Sequence, residues 1–389
     1  MSQLLESRWS ETKEALLEGL QGNKRSVMAT TLENTRKYLA ESATAGATSA
    51  GNVATLNRVI LPVIRRVMPT VIANELVGVQ PMTGPVGQIH TLRVRYADTF
   101  NSTSGTDVTA GDEALSPFKI AEGYSGAVND KAASTAALEG RAGNRMSIQI
   151  LKQTVEAKTR KLSARWTFEA AQDAQAQQGI DIEAEIMAAL AQEITAEIDQ
   201  EVIASLNSLA GTVLTYDQAA VSGTATFVGD EHAALAVQIN RAANLIAQRT
   251  RRGAGNYAVV SPTVLTLLQS ATTSAFARTT EGTFEAPTNT KFVGTLNSAM
   301  KVYVNGYATS DDVLIGYKGS SESDAPAFYC PYIPLMSSGV VLDPATFEPV
   351  VSFMTRYGYV ELTNTASSLG NAADYLAKVA VTSANLRFA

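Results

Sequence analysis

Between Ile180 and Leu209 an apolar residue returns at every fourth position without a break: Ile182, Ile186, Leu190, Ile194, Ile198, Val202 and Leu206. That period belongs to a helix and not to a strand. Each four-residue step overshoots a turn of a 3.6-residue helix by ~40°, so the stripe winds round the axis instead of holding one face. A helix of this kind needs different neighbours at its two ends. At ~1.5 Å per residue it is ~45 Å long, close to a domain's width. The rest of the chain must be arranged about it as about a spine.

Composition narrows what that arrangement serves. At 389 residues the chain has room for two or three substructures with real cores. Its Lys+Arg 31 against Asp+Glu 37 leave a net charge of −6. This disfavours a surface devoted to gripping nucleic acid, which needs a basic excess to neutralise phosphates. Charged residues make up 17%, below the ~25% usual for soluble domains. Less surface is marked for water, so the chain is expected to bury much of itself against other chains. The single cysteine, Cys330, excludes an intramolecular disulfide, a thiolate zinc site and an iron–sulfur cluster. Two histidines, His90 and His232, exclude most histidine-based metal centres. No apolar run approaches the ~18 residues that span a bilayer. The start, Met1-Ser2-Gln3-Leu4-Leu5-Glu6, lacks a basic-then-apolar secretory pattern. A cytosolic compartment and no membrane partner are expected.

Residues 1–41 are charged and helix-prone, and Ser42 to Asn52 is a linker of small residues. Pro69 suits the first turn of a helix ending near Gly78. Gly84-Pro85 turns the chain into a strand, Gln88 to Tyr96, in which Ile89, Thr91, Arg93 and Arg95 alternate with His90, Leu92, Val94 and Tyr96. Residues 98–145 are rich in small residues and thin in large apolar ones. Such a stretch, without a core of its own, reads as a disordered loop or as an extended arm that orders only against a neighbouring subunit, and the low charge favours the arm. Met146 to Phe168 reads as strand and Glu169 to Gln178 as a Gln/Ala-rich segment. After the spine come a helix over Asp230–Gln248, a buried strand over Tyr257–Val260, and a helix capped by Ser261 with Pro262 in its first turn. Strands are expected at Lys301–Val304, Val313–Ile315, Val350–Val360 and Tyr375–Val381.

Nothing in the pattern argues for catalysis. The acidic residues of the spine, Glu183, Glu185, Glu193, Glu197, Asp199 and Glu201, lack the Glu-x-x-His of a bundle metal site and are expected on a solvated or subunit-facing side. Arg251-Arg252-Gly253-Ala254-Gly255 follows a helix and lacks the Lys-Ser/Thr of a nucleotide loop, so it reads as a helix end. His232 is expected to be exposed, His90 has no partner in sequence, and Cys330 reads as a small apolar residue. No serine sits in a nucleophile-elbow signature. No catalytic, cofactor or metal residues are assigned, and no cofactor is expected.

Three stretches resemble, in order and spacing, the major capsid proteins of tailed phages of the T-even-type myovirus family. They are Ile64–Pro69 running into Gly78–Gln88; Ala157–Leu162 through Ala171-Gln172-Asp173 to Gly179–Glu185 and Glu197–Val202; and Tyr329–Met336 followed by Leu342–Pro349 and Thr355–Gly358. The resemblance covers residues 64–358. It implies an α+β fold of the Hong Kong 97 type, with an N-terminal arm, an extended β-hairpin loop, a peripheral domain on a spine helix and an axial domain. Mapped onto this chain, 1–50 would be an N-terminal arm or propeptide and 51–97 the arm and start of the peripheral domain. Residues 98–145 would be the extended loop, 146–229 the peripheral domain with its spine at 180–209, 230–345 the axial domain, and 346–389 the return to the peripheral domain.

The implied function is a head-shell subunit that assembles with itself into hexamers and pentamers enclosing double-stranded DNA. Implied partners are a scaffolding protein, a portal, a maturation protease and decoration proteins, with the DNA contacted weakly and non-specifically. The implied location is the virion, assembled in the host cytoplasm. Family members are cut after a Glu that has an apolar residue two positions before it. Leu39-Ala40-Glu41 before Ser42 fits, which makes Glu41 and Ser42 the candidate cleavage site; Leu16-Leu17-Glu18 before Gly19 fits as well. An encapsulin-like compartment of the same fold is the alternative, and a hydrolase using spine carboxylates such as Glu193 and Glu197 a remote one.

Overall fold

The structure, a computed structural model, describes residues 22–44, 72–101, 107–112, 123–126, 134–140, 143–178, 181–221, 228–250, 252–271, 276–278, 291–297, 299–322, 324–363 and 371–386, together with 9, 13, 14, 17 and 114. The chain forms two compact units, each assembled from three separate stretches: Met1–Gly87, Val155–Ile203 and Phe328–Val360 in the first, Gln88–Thr154, Ala204–Ala327 and Glu361–Ala389 in the second.

The first unit opens with α1 (Gly22–Thr44), a short α2 (Ala73–Leu76) and β1 (Gly78–Val79). It continues with β4 (Lys158–Arg165), α4 (Phe168–Gln178) and most of the spine α5 (Ile182–Leu209), and closes with β11 (Ala327–Ser337), β12 (Val341–Leu342) and β13 (Pro349–Glu361). The sheet order is β1-β11-β13-β12, with β4 pairing β13 antiparallel from Val350↔Arg165 to Tyr357↔Lys158. β11 is covered on both faces, which explains its apolar run, whereas β13 alternates buried and half-buried along much of its length. The spine behaves as its winding stripe requires: Leu190, Ile194, Ile198, Val202 and Leu206 are all buried. Gly358 is needed where β13 passes the start of this unit's middle stretch, because a Cβ there would overlap the Val155 side chain.

α1 contributes Val27, Met28, Thr31 and Leu32 as buried residues. Its Asn34 Nδ2 donates to the carbonyls of Met82 at 2.7 Å and Tyr332 at 2.9 Å. The helix runs three residues past the expected break at 41, to Thr44. The linker from residue 45 onward and the Ile64–Pro69 motif lie outside the described residues.

The second unit is built on a seven-stranded sheet, order β5-β14-β10-β6-β9-β8-β7. Its strands are β5 (Val213–Tyr216), β6 (Tyr257–Val260), β7 (Phe276–Arg278), β8 (Lys291–Leu296), β9 (Met300–Val304), β10 (Val313–Gly316) and β14 (Leu376–Val381). It also holds the short helices α3 (Thr135–Leu138) and α6 (Gln218–Val221), while α7 (Val228–Thr250) and α8 (Pro262–Ser270) contribute to its core, with Leu235, Ile239, Ala242 and Ile246 of α7 fully enclosed. Ser261 caps α8 as its sequence predicts, accepting from Val264 N at 3.2 Å. Gly253 and Gly255 follow α7 where added Cβ atoms would lie 2.6 Å from Tyr317 Cε2 and 2.8 Å from Ile315 Cγ2, so packing demands small residues there.

Two groupings differ from the sequence-drawn boundaries at 229/230 and 345/346. β11 joins the sheet of the first unit, and β14 inserts between β5 and β10 in the second. Strand partners are chosen by pairing between distant segments, which a boundary along the chain cannot express.

The stretch 98–145 also departs from expectation. In its described part Phe100, Val108, Ala114 and Tyr124 are buried together with Tyr96 of the preceding strand. Phe100 and Val108 exchange backbone hydrogen bonds, Tyr124 Oη donates to Arg145 O at 2.8 Å, and Asp98 pairs with Arg145 at 3.0 Å. The aromatic residues are few but converge, so these described residues pack within their own chain.

Candidate assembly surfaces

β2 (Val86–Tyr96) and β3 (Met146–Glu156) form a two-stranded ribbon. An isolated two-stranded ribbon is marginal in water and normally turns its apolar side inward. Here the sidedness is reversed. Arg93 and Arg95 are 4% and 8% exposed, while Leu92, Ile148 and Ile150 are 65%, 68% and 66% exposed. Within the second unit the ribbon is anchored by Gln153, whose Nε2 donates to the carbonyls of Glu361 at 3.3 Å and Thr363 at 3.2 Å. Gln153 ties it inward, while Leu92, Ile148 and Ile150 face water. The alternation of β2 was legible in sequence; which side faces in was not.

A second apolar surface lies in the first unit. A cleft of about 470 Å³ is lined by Trp166 and Phe168 at the start of α4, Ile182 at the start of α5, and Leu342 and Pro349 where β12 meets β13. Phe347, in the turn between those strands, packs on Phe168 with ring centroids 5.9 Å apart and is largely exposed. It holds a positive φ of 59°, a strained turn conformation for an aromatic residue. Asp181 and Glu183 also line the cleft.

The carboxylates of the spine fall into different classes. Glu193 is exposed as expected. Glu197 and Glu201 both grip Arg160 of β4, and Tyr357 of β13 donates to Glu201. Burial works against the Arg160 charge, but hydrogen bonds to Glu201 and Tyr357 outweigh it and hold its pKa above the ordinary value. Asp199 corrects the expectation of a solvated position. It is buried, accepts the Ile72 N–H at 2.9 Å, and is pushed up to about 7 by burial, which that hydrogen bond only partly offsets. The four-residue stripe brings position 199 beside Ile198 and Val202, and a charge pattern read along the chain carries no sign of that burial.

His232 is a second correction, being buried instead of exposed. Its Nδ1 lies 2.6 Å from Ser270 Oγ, and Ser270 Oγ donates to Leu267 O at 3.0 Å. His90 is exposed on β2. Cys330 is buried within β11 and its thiol is pushed up to about 11 by burial. Among the described residues no three His, Cys, Asp or Glu side chains are grouped to hold a metal. Of the cleavage pair, Glu41 and Ser42 stand in the last turn of α1.

Described segments of all three stretches singled out in the sequence meet in the first unit. Gly78 and Val79 pair with Phe328 and Tyr329, and Lys158–Leu162 pair with Phe353–Tyr357. Residues 53–382 match the family described as major capsid protein Gp23. The chain belongs to that family. The major capsid protein of Vibrio phage KVP40 is 30% identical over 85% of this chain and 82% of its own length. That of Enterobacteria phage T4 is 30% identical over 82% and 78%. Among solved structures, the capsid of Myoviridae phage XM1 aligns over 79% of this chain and 91% of its own at 10% identity, with a TM-score of 0.43. This Gp23-family chain is therefore a major capsid protein of a tailed phage, α+β in class, whose place is the shell of the virion. No described helix is long and apolar enough to cross a membrane. Neither an encapsulin-like compartment nor a hydrolase gains support from these relatives.

Proposed function

We propose that this Gp23-family subunit assembles through hexamers and pentamers of a Hong Kong 97-type shell around double-stranded DNA. Family membership over residues 53–382 carries the reading. The ribbon supports it, because aliphatic residues facing water on polar-anchored strands suit a surface meant for other subunits. In this reading the first unit, with the spine, serves as the peripheral domain and the second as the axial domain. The ribbon with residues 98–145 acts as the extended loop. Heterologous contacts of one surface with a different one close into rings when the rotation closes.

The subunit has no turnover of its own. A scaffolding protein, a portal, a maturation protease and decoration proteins act with it, and DNA is contacted weakly, in keeping with a net charge of −6. The protease cuts after Glu41, before Ser42. Both lie in a helix, so the cut requires the last turn of α1 to unwind. Electron microscopy of the chain co-expressed with its genomic neighbours tests the whole reading. Closed shells or hexameric rings are expected; dispersed monomers despite those partners would overturn it. Intact mass of mature particles tests the cleavage, which a mass beginning at Met1 would rule out.

A further inference from the structure

Asp199 of the spine holds one end of a short, separately fastened stretch of the first unit. Its Oδ1 accepts the backbone N–H of Ile72, from which the chain runs through α2 and β1 to Met82. The far end of that stretch is fixed by backbone bonds. Gly78 and Val79 pair with Phe328 and Tyr329 of β11, Gln80 N donates to Tyr329 O at 3.1 Å, and Met82 N donates to Pro331 O at 3.0 Å. The near end is a single turn, closed by Glu75 N and Leu76 N on Ile72 O. A turn that short has no stability of its own. It depends on the burial of Ile72 and Leu76 and on the Asp199 carboxyl.

The surroundings give that carboxyl no counter-charge. Among the described residues no cation acts on it: Arg160 of β4 is held by Glu197 and Glu201, and Lys24 of α1 faces Glu75 at 3.5 Å. The groups that face it from the sheet are Tyr329 and Cys330 of β11, with Tyr357 of β13 and Glu201 behind them. Burial pushes both phenols and the thiol up, so they stay neutral through neutral pH. Asp199 is therefore the member of this group that changes charge there. A buried carboxylate with one neutral donor and no cation is costly, and opening to water relieves the cost.

We propose that Asp199 is a proton-controlled clasp: neutral, it holds the Ile72 end of the stretch closed, and ionised, it lets that end open to water while β1 stays paired with β11. The clasp goes beyond the shell reading and stands without it. The direction follows from where the proton is held better. The closed form keeps it up to about pH 7, whereas an Asp199 opened to water loses it near 3.8. Opening is therefore favoured as pH rises between those values and gains nothing further above them.

Hydrogen exchange of the full-length chain, read by fragment mass and corrected for the intrinsic effect of pH on exchange, tests the clasp. The fragment carrying Ile72, Glu75 and Leu76 is expected to lose protection about tenfold per pH unit between about pH 5 and pH 6, and to level off above about pH 7. It is expected to exchange at least about tenfold faster than β13, because the clasp opens without the rest of the unit. Asp199→Asn keeps an acceptor but cannot ionise, and its profile is expected to be flat. Protection that does not change with pH in the wild type, or an equal slope in Asp199→Asn, would overturn the clasp. So would equal protection of the Ile72 fragment and β13 at every pH, since Ile72 would then open only when the whole unit unfolds. Both wild-type readings need no variant, so they decide the matter even if Asp199→Asn does not fold.

Discussion

The side-chain amide of Asn34 donates to the carbonyl oxygen of Tyr332 at 2.9 Å, joining residues 298 positions apart. The same nitrogen reaches Met82 O at 2.7 Å, so one side chain fastens α1 to two other segments of the first unit. Buried carbonyls stripped of their donor keep the desolvation cost without the bond. Asn34→Ala is expected to destabilise the first unit by about 1–3 kcal/mol. Urea denaturation of the unassembled subunit would measure it, and an unchanged midpoint would contradict the role.

The same contacts bear on maturation. If the chain is cut after Glu41, the fragment that ends there still carries Met28, Leu32 and Asn34, all buried. The cut fragment is expected to stay bound in the wild type and to dissociate more readily from Asn34→Ala. Size-exclusion chromatography followed by mass measurement would separate the two outcomes.

Asp199 makes the stability of the first unit depend on pH. Its folded-state pKa is about 7 against an ordinary 3.8. Below 3.8 both states hold the proton. As pH rises the unfolded chain loses it first, so stability falls through the window from about 4 to about 7 and levels off above it. The contribution is on the order of 4 kcal/mol by the usual conversion of a pKa difference. Asp199→Asn keeps an acceptor for Ile72 N–H but cannot ionise. Its denaturation midpoint is expected to lack that decline, and a slope equal to the wild type's would rule the assignment out.

Arg160 ties β4 to the spine through Glu197 and Glu201, and to β13 through the Tyr357 hydroxyl. Arg160→Leu is expected to cost about 1–3 kcal/mol, as for hydrogen bonds to charged groups, with some screening because the site is partly open to solvent. Arg160→Lys should recover only part of this, since one ammonium cannot fork to two carboxylates and a phenol. Guanidinium chloride would mask the charge effect, so urea is the denaturant of choice.

Gly358 abuts Val155 so closely that a single added methyl has no room. Gly358→Ala is expected to destabilise by about 1–3 kcal/mol through overpacking. Val155→Ala should relieve much of that loss when combined with it, a coupling that a double-mutant cycle would read directly.

Much of the local structure was legible along the chain. The strand Tyr257–Val260 and the Ser261-Pro262 helix start stand where their sequence predicts. The spine ends at Leu209 as its stripe implies. β11 escaped notice because a strand covered on both faces shows no alternation, and Pro331 and Pro334 interrupt its run. The small core of residues 96–124 escaped as well, since Tyr96, Phe100, Val108 and Tyr124 follow no period. Of the candidate surfaces, the alternation of β2 was visible in sequence. The cleft was not, because Phe168, Ile182 and Leu342 come from three separated segments.

Element type and family were determined by the sequence itself. Helix and strand periods are written in neighbouring residues, and the motifs of the shell family survive as short ordered strings. Sidedness and burial were decided only by the tertiary structure. Asp199 and Glu201 are two residues apart on one helix, yet one is enclosed and the other exposed. Arg93 is enclosed while Leu92 beside it faces water. Whether a side chain meets water depends on what distant segments bring against it, and no local pattern records that.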